Sequence, residues 1–218
     1  MIPTYGKIPT VFQRSLEGRK TLIPYAWPDP TVEALKDFDW EWTEKIDGAN
    51  IRVHWDGYGV SFLGRHEGSE IPPFLLSRLQ EVFSEDGAEQ VFEQMFSSNP
   101  VTLFCEGYGH KIGGAGDGYL PDRVDLMVLD VMISGNYQTR TSVSQIASAF
   151  GLCSVPIVGH GTLLEAIDFV RAHPTSRICA QPMEGLVCRP RMDLRDRSGN
   201  RVIVKVKWKD VRPDRLAL

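Results

Sequence analysis

Five ionisable side chains interrupt the apolar runs of this sequence or lie at their ends, and they are the residues best suited to chemistry. They are Lys45, Glu106, Glu184, Lys205 and Lys207. Burying an unpaired charge is costly, so the strands that carry these residues are expected to turn them toward a shared, solvated cleft. Three lysines and two carboxylates in one cleft suit phosphoryl or nucleotidyl transfer, with a divalent metal bound by the carboxylates.

Lys45 is the member of this set whose surroundings favour nucleophilic chemistry. It precedes Asp47, a carboxylate, and Gly48, which lets the backbone turn closely. A lysine amine attacks only when it is deprotonated, and nearby positive charge or desolvation favours that form. Lys205, Lys207 or a bound metal could supply the positive charge. The alternative is a surface lysine in an Asp-Gly turn.

Lys205 and Lys207 alternate with Val204 and Val206 near the end of the chain. In a strand this alternation places both ammonium groups on one face and the apolar side chains on the other. Two neighbouring cations repel each other unless an anion lies between them, and a triphosphate is such an anion. The alternative is the solvated face of an edge strand, where lysines prevent unwanted strand pairing.

Four helices are predicted to support these residues. Helical spacing of apolar side chains predicts three of them, at 74–83, 91–96 and 143–150. The fourth begins with a Thr-x-x-Glu capping box at Thr162 and ends before Pro174.

The strands are predicted from alternation and from short apolar runs. Residues 50–55 and 60–63 alternate around Asp56-Gly57 and predict a β-hairpin. Further strands are predicted at 101–105, 126–131, 185–188 and 202–208. The last two are expected to pair antiparallel across turn residues at 197–200. The fold class is therefore predicted to be α+β with largely antiparallel sheet.

Composition limits the class of protein. A chain of 218 residues with 42% apolar content is expected to form a single domain over residues 1–218. It contains no apolar run of roughly 18 residues and no secretory pattern at its N-terminus, so we expect an intracellular, cytoplasmic protein without a membrane partner. The net charge of -4 argues against coating of nucleic acid by overall positive charge, although a basic patch in the last 30 positions is compatible with a polyanion.

The run Lys45-x-Asp47-Gly48 resembles the first motif of the covalent nucleotidyltransferases, which include ATP-dependent DNA ligases, RNA ligases and mRNA capping enzymes. Five further segments follow in the order of that superfamily, at 61–65, 104–109, 125–131, 183–187 and 204–208. Together the motifs span about three quarters of the chain. The resemblance implies the adenylation fold of these enzymes, with antiparallel sheets and flanking helices.

Within the superfamily the sequence is most similar to the RNA ligase 2 group, which includes phage enzymes. DNA ligases and capping enzymes usually have arginine five residues after the lysine, and this chain has Asn50, as that group does. The stretch 107–112 is also similar to such ligases. The resemblance implies an ATP-dependent RNA ligase that joins 3′-hydroxyl and 5′-phosphate ends, with nicked duplex RNA as the expected substrate and a phage origin as one alternative.

The resemblance also implies roles for the motif residues at the nucleotide. Lys45 would attack the α-phosphate of ATP and carry AMP covalently. Glu44 and Ile46 would contact adenine and phosphate, partly through their backbone. Asn50 and Arg65 would contact the sugar and the phosphates.

For the remaining motif residues, the resemblance implies metal binding and stabilisation of charge. Glu106 would bind the ribose hydroxyl and, with Glu184, a divalent metal, which is magnesium with manganese as the alternative. Lys205 and Lys207 would hold the α-phosphate and stabilise charge that develops in the transition state. Leu126 stands where the family usually offers an aromatic ring to the purine.

Two other classes of function remain open at this point. One is a DNA ligase or a GTP-dependent capping guanylyltransferase, and the other is a silent nucleic-acid-binding accessory subunit. Eight residues follow Asp210 in this chain of 218, so we expect no appended C-terminal nucleic-acid-binding domain. A protein partner is an alternative source of that clamp.

Overall fold

The chain divides into two compact units, each made of discontinuous segments. The computed structural model describes residues 2–17, 20–66, 68–84 and 87–216. Unit 1 comprises Met1–Gly6 and Asp47–Val155, and unit 2 comprises Lys7–Ile46 and Pro156–Leu218. The expectation of one adenylyltransferase domain stays a prediction.

The secondary structure alternates short strands with short helices. The strands are β1 (Trp40–Glu44), β2 (Ala49–Trp55), β3 (Val60–Leu63), β4 (Val101–Gly109), β5 (Val124–Ile133), β6 (Asn136–Tyr137), β7 (Cys153–Ser154), β8 (Ile157–Gly161), β9 (Gly185–Pro190) and β10 (Val204–Lys207). The helices are α1 (Pro30–Leu35), α2 (Pro73–Phe83), α3 (Ala88–Phe96), α4 (Gly116–Tyr119), α5 (Arg140–Ala149), α6 (Leu163–Arg171) and α7 (Trp208–Val211).

Unit 1 is built on a sheet with strand order β3-β2-β4-β5-β6, and β7 adds to β5 in parallel. Every other pair is antiparallel. Alternate residues such as Ile51 and Leu103 point into a core that α2, α3 and α5 cover. Phe92 lies at the centre of an aromatic cluster there, with its ring centroid 4.5 Å from that of Phe150.

The opposite face of the unit 1 sheet carries two buried charged side chains, which the N-terminal segment covers. Arg52 and Asp130 both lie opposite Phe104 in the strand register, so they share its face. The N-terminal segment covers this face, because Pro3 O accepts a hydrogen bond from Arg52 Nη1 and the Tyr5 hydroxyl donates to Asp130 at 2.6 Å. Unit 1 is therefore packed on both sides.

Unit 2 is built on an antiparallel sheet of order β10-β9-β1-β8. Its core face carries Trp40 and Trp42, and α6 packs against it through Leu163, Ile167 and neighbouring apolar side chains. The Thr162 capping box that starts α6 is present with both reciprocal bonds. Residues 9–11 pair with β10 through Lys205, so this strand does not present a bare edge.

The predicted hairpin, the four predicted helices and the four predicted later strands are confirmed, as is the α+β class. The strand predicted at 202–208 was too long at both ends, because β10 spans Val204–Lys207 and Trp208 begins α7. The Trp208 ring stacks on His173 at 3.9 Å between centroids, and this contact accompanies the turn away from the strand. Among the helices in the described ranges, none has the length and apolarity of a membrane span.

Candidate active site

Lys45 stands where unit 2 brings strands β1 and β9 together. Its N–H donates to Gly185 O at 2.9 Å and continues the pairing of the two strands beyond Glu44. Its Nζ lies 2.7 Å from Glu184 Oε2 and 3.3 Å from Ile46 O. The sheet thus joins a lysine and a carboxylate that are 139 residues apart in sequence.

Lys207 meets the same carboxylate from the next strand, with its Nζ on Glu184 Oε1. Pairing of Lys207 with Gly185 in the β9–β10 register produces this contact, and Trp208 N donates to Glu184 O at 2.9 Å. The side chains of Lys45, Glu184 and Lys207 are 21%, 18% and 18% exposed. This Lys45–Glu184–Lys207 cluster carries more positive than negative charge and is reachable by an anionic ligand.

Lys205 lies on the same face of β10 as Lys207, two residues before it. Its register partner in β9 is Val187. The side chain is half-buried and has interactions of its own. The valines that flank it, Val204 and Val206, are fully buried, as their alternation with the lysines indicated.

The side chains of Glu44 and Ile46 are both turned away from solvent. Glu44 is 1% exposed, and its two carboxylate oxygens accept hydrogen bonds from Ser176 Oγ and Arg177 N. Ile46 is buried as well. Because both side chains are buried, the backbone groups of Glu44 and Ile46 are the ones available for the contacts predicted at the nucleotide.

In unit 1, Asn50 and Glu106 stand directly opposite each other on β2 and β4. Within the part of the chain that the structure describes, the buried Oδ1 of Asn50 accepts no hydrogen bond. A buried acceptor without a donor is unfavourable, so this oxygen is suited to a hydroxyl or amine of a ligand. Gly48 packs against the same strand, since a Cβ there would lie 2.2 Å from Gly107 O.

Asp47 was not among the predicted site residues, yet it organises a loop of unit 1. Its Oδ2 accepts hydrogen bonds from Gly114 N at 3.0 Å and from Ala115 N at 3.3 Å, and its N–H donates to the Tyr119 hydroxyl. Gly113, at φ +65°, approaches the Asp47 backbone closely. The glycine-rich run that follows the third motif was the available signal for this contact.

Arg65 and Leu126 differ in accessibility. Arg65 is exposed just beyond β3, and the preceding Gly64 O accepts a 3.0 Å bond from the buried Arg52 Nε. Leu126 is 1% exposed and belongs to the core of unit 1. The role expected for Leu126 beside the purine stays a prediction, and its packing in the core leaves little of its side chain exposed to a base.

The predicted metal ligands fit a cation that is held mainly by phosphates and water. In the described ranges no group of three or more His, Cys, Asp or Glu side chains forms a metal cage. Glu184 offers one carboxylate, whose oxygens are shared by two lysines, and magnesium commonly uses one or two carboxylates together with phosphates and waters. Glu106 belongs to the other unit, so its pairing with Glu184 stays a prediction.

Residues 38–207 of this chain match the model of a protein family described as RNA ligase. None of the curated proteins is a significant match to the sequence. Similar solved structures include the Naegleria gruberi RNA ligase. A mutant of it with AMP and manganese has a TM-score of 0.61 at 17% identity, over 82% of this chain and 52% of that one.

Two further structures of the same Naegleria ligase give similar values. A mutant with ATP and manganese has a TM-score of 0.63 at 15% identity, over 95% of this chain and 63% of that one. The ligase with pyrophosphate has a TM-score of 0.61 at 18% identity, over 82% and 52% of the two chains. The chain thus spans between half and two thirds of the length of these ligases, and at such identities the likeness concerns the fold.

Proposed function

Because this chain belongs to the RNA ligase family, we propose that it is an ATP-dependent RNA ligase that works through AMP bound covalently to Lys45. The observation that carries the proposal is the 2.7 Å contact between Lys45 Nζ and Glu184 Oε2, with Lys207 on the other oxygen of the same carboxylate. A nucleophile, a proton acceptor and a second cation are thereby held in one partly exposed place. The ATP or AMP present in the similar ligases supports the choice of nucleotide.

In the first step the Lys45 amine attacks the α-phosphorus of ATP. A phosphorus–nitrogen bond forms, the bond to the bridging oxygen breaks, and pyrophosphate leaves with the electron pair. The ammonium proton must leave before attack, and Glu184 Oε2 is an acceptor within hydrogen-bond reach. Lys207, with Lys205 on the same strand face, stabilises negative charge that builds on the phosphates.

In the next two steps AMP passes from Lys45 to the 5′-phosphate of one RNA end. The 3′-hydroxyl of the other end then displaces AMP and forms the phosphodiester bond. Splitting the reaction through a covalent intermediate replaces one difficult transfer by easier ones. The unpartnered Asn50 Oδ1, with Glu106 opposite it, suits a ribose hydroxyl, and we propose nicked duplex RNA as the substrate.

A divalent cation belongs to this proposal, with magnesium or manganese as the ion. Glu184 would hold it directly or through water, and Glu106 is the second proposed ligand. The cation would neutralise phosphate charge and polarise the phosphorus–oxygen bonds. Removal of divalent ions by a chelator should abolish transfer, and the same chelator should leave the folded protein intact.

The proposal is tested by incubating the purified chain with ATP labelled at its α-phosphate. We expect label that survives denaturation in the wild type and is absent in Lys45→Ala. Lys36→Ala is the matched control, because Lys36 is a surface residue of the same unit paired with Asp37. An unlabelled wild type would overturn the ligase proposal and favour a silent binding subunit.

The same assay separates the alternatives within the enzymes. Label from GTP in place of ATP would favour a capping guanylyltransferase. Nicked duplexes with RNA or DNA at the 3′-hydroxyl side decide the polynucleotide, and we expect faster sealing with RNA there. Equal sealing of both would remove the preference for RNA.

A further inference from the structure

Glu44 is a buried charge directly before the proposed nucleophile, and its burial needs an explanation. It ends β1 and is 1% exposed, on the face that Trp40 and Trp42 direct into the core. A buried carboxylate is strongly unfavourable unless hydrogen bonds satisfy its oxygens. A leucine at the same position would pack against the core at no such cost. The carboxylate is therefore expected to have a specific task.

The hydrogen bonds of the Glu44 carboxylate described here come from one segment, Pro174–Met183, which we name the anchor loop. Ser176 Oγ donates to Glu44 Oε1 at 2.5 Å, and Arg177 N donates to Oε2 at 2.7 Å. Ser176 is buried, and its Oγ in turn accepts a bond from Ile178 N at 3.1 Å. The carboxylate thus holds two consecutive residues of the anchor loop directly, and a third is held through Ser176 Oγ.

The anchor loop is closed on itself and leads directly into the candidate active site. Ser176 N donates to Gln181 O at 2.8 Å, and Met183 N donates to Pro174 O at 3.0 Å. Glu184 is the next residue after Met183. Displacement of the anchor loop would therefore displace the carboxylate that contacts Lys45.

We propose that Glu44 is a positioning residue, which sets the distance between Lys45 and Glu184 by tying the anchor loop to the end of β1. This inference rests on the proposed function of Lys45. The strand that leads to Lys45 is joined to the segment after Glu184 by the β1–β9 pairing, which Lys45 N continues to Gly185 O at 2.9 Å. Glu44 adds a connection from the buried face to the segment before Glu184. Misplacement of a reacting group by about 1 Å is enough to lower a rate about 100-fold.

Four variants test the proposal in the labelling assay, under single-turnover conditions. Glu44→Ala removes both bonds to the anchor loop, and Glu44→Gln keeps an acceptor for the Arg177 amide. Ser176→Ala removes one bond, and Ser176→Thr keeps the hydroxyl. The matched control is Ser198→Ala, a serine of the same unit in an exposed turn.

We expect the rate of Lys45 labelling at saturating ATP to fall about 100-fold in Glu44→Ala and about tenfold in Ser176→Ala. Glu44→Gln and Ser176→Thr should recover most of the loss, and the control should match the wild type. The ATP concentration for half-maximal rate should change by less than about threefold, because ATP binding itself is not altered. A purely structural role would instead lower the melting temperature and leave the rate of the folded protein unchanged.

Amide hydrogen exchange provides a test that does not depend on activity. The Arg177 amide should exchange at least about tenfold faster in Glu44→Ala than in the wild type, whereas amides within α6 should keep their protection. Unchanged exchange at Arg177, or a wild-type labelling rate in Glu44→Ala, would overturn the positioning role. An unlabelled wild type that still shows the exchange difference would overturn the proposed function alone.

Discussion

Two sets of charged side chains, one in each unit, are shielded from bulk water to different degrees. In unit 1, Arg52 and Asp130 are each 1% exposed and are held by carbonyl, tyrosine and arginine partners. In unit 2, Lys45, Glu184 and Lys207 contact one another and remain about one fifth exposed. Near-complete burial beside such partners marks charges that stabilise the fold or, as for Glu44, position other residues. Partial exposure marks charges that a ligand can reach.

The strongest test of this comparison is Glu184→Ala in unit 2. Loss of the carboxylate removes the proton acceptor of Lys45 and a proposed ligand of the divalent cation, so we expect labelling by ATP to slow about 1000-fold. The midpoint of urea unfolding should shift less than in variants of the buried unit 1 charges. Labelling at the wild-type rate would show that the contact has no part in the reaction.

The converse test is Asp130→Ala in unit 1. Asp130 accepts from Arg140 Nη2 at 2.8 Å, and its loss leaves a largely buried arginine without that partner. We expect the free energy of unfolding to fall by about 3 kcal/mol, with unchanged labelling in the fraction that stays folded. The surface variant Asp37→Ala should lose less than about 1 kcal/mol. Equal losses in the two variants would contradict the distinction between buried and reachable charge.

A smaller effect is expected from Gly48→Ala, which adds one methyl group beside the predicted site residues of unit 1. The new Cβ would lie 2.2 Å from Gly107 O and 2.9 Å from Glu106 Cγ, so the backbone must shift. We expect a loss of about 1–3 kcal/mol in the free energy of unfolding, measured in urea. Gly59→Ala is the control, because no atom lies within 4 Å of a Cβ there. A neutral Gly48→Ala would remove the argument for a required glycine.

The smallest effect concerns pH and the half-buried Tyr108 of unit 1. Burial, followed by the negative charge of Asp125, raises the pKa of Tyr108 from 10.0 to about 12. Above pH 10 the unfolded chain loses this proton while the native state keeps it, so the contribution is complete below pH 10 and is lost as the pH rises toward 12. Tyr108→Phe should therefore lose less stability than the wild type between about pH 9 and about pH 11. Identical urea unfolding curves for the two proteins across that range would contradict the shift.

Local sequence signals were sufficient for part of the fold. The β2–β3 hairpin follows from alternation around a tight turn, and α6 follows from its capping box. Strand β1 was not predicted, and all five of its residues, polar and apolar alike, are buried. Glu41 is buried and pairs with Arg189 on β9 at 3.1 Å. No residue near Glu41 in the sequence predicts this pair. Pairs between residues so far apart in sequence depend on the strand order of the sheet, which local sequence patterns do not predict.

The candidate site, like the fold, was predictable only in part from the sequence. Residue types and motif order named Lys45, Glu184 and Lys207, but their contact results from the strand order β10-β9-β1. The bond between Glu44 and the anchor loop was not predictable, because Ser176 belongs to no motif and lies 132 residues away. The position of Leu126 in a motif did not reveal that its side chain packs in the core of unit 1.

The measurement that tests the account most directly is identification of the labelled residue after reaction with ATP. Digestion and mass spectrometry of the wild type should locate AMP on the peptide that contains Lys45, through a bond that acid cleaves and alkali preserves. Lys45→Ala should carry no AMP, although Lys205 and Lys207 remain in place on β10. AMP on another lysine, or none on any residue of the folded wild type, would contradict the central claim.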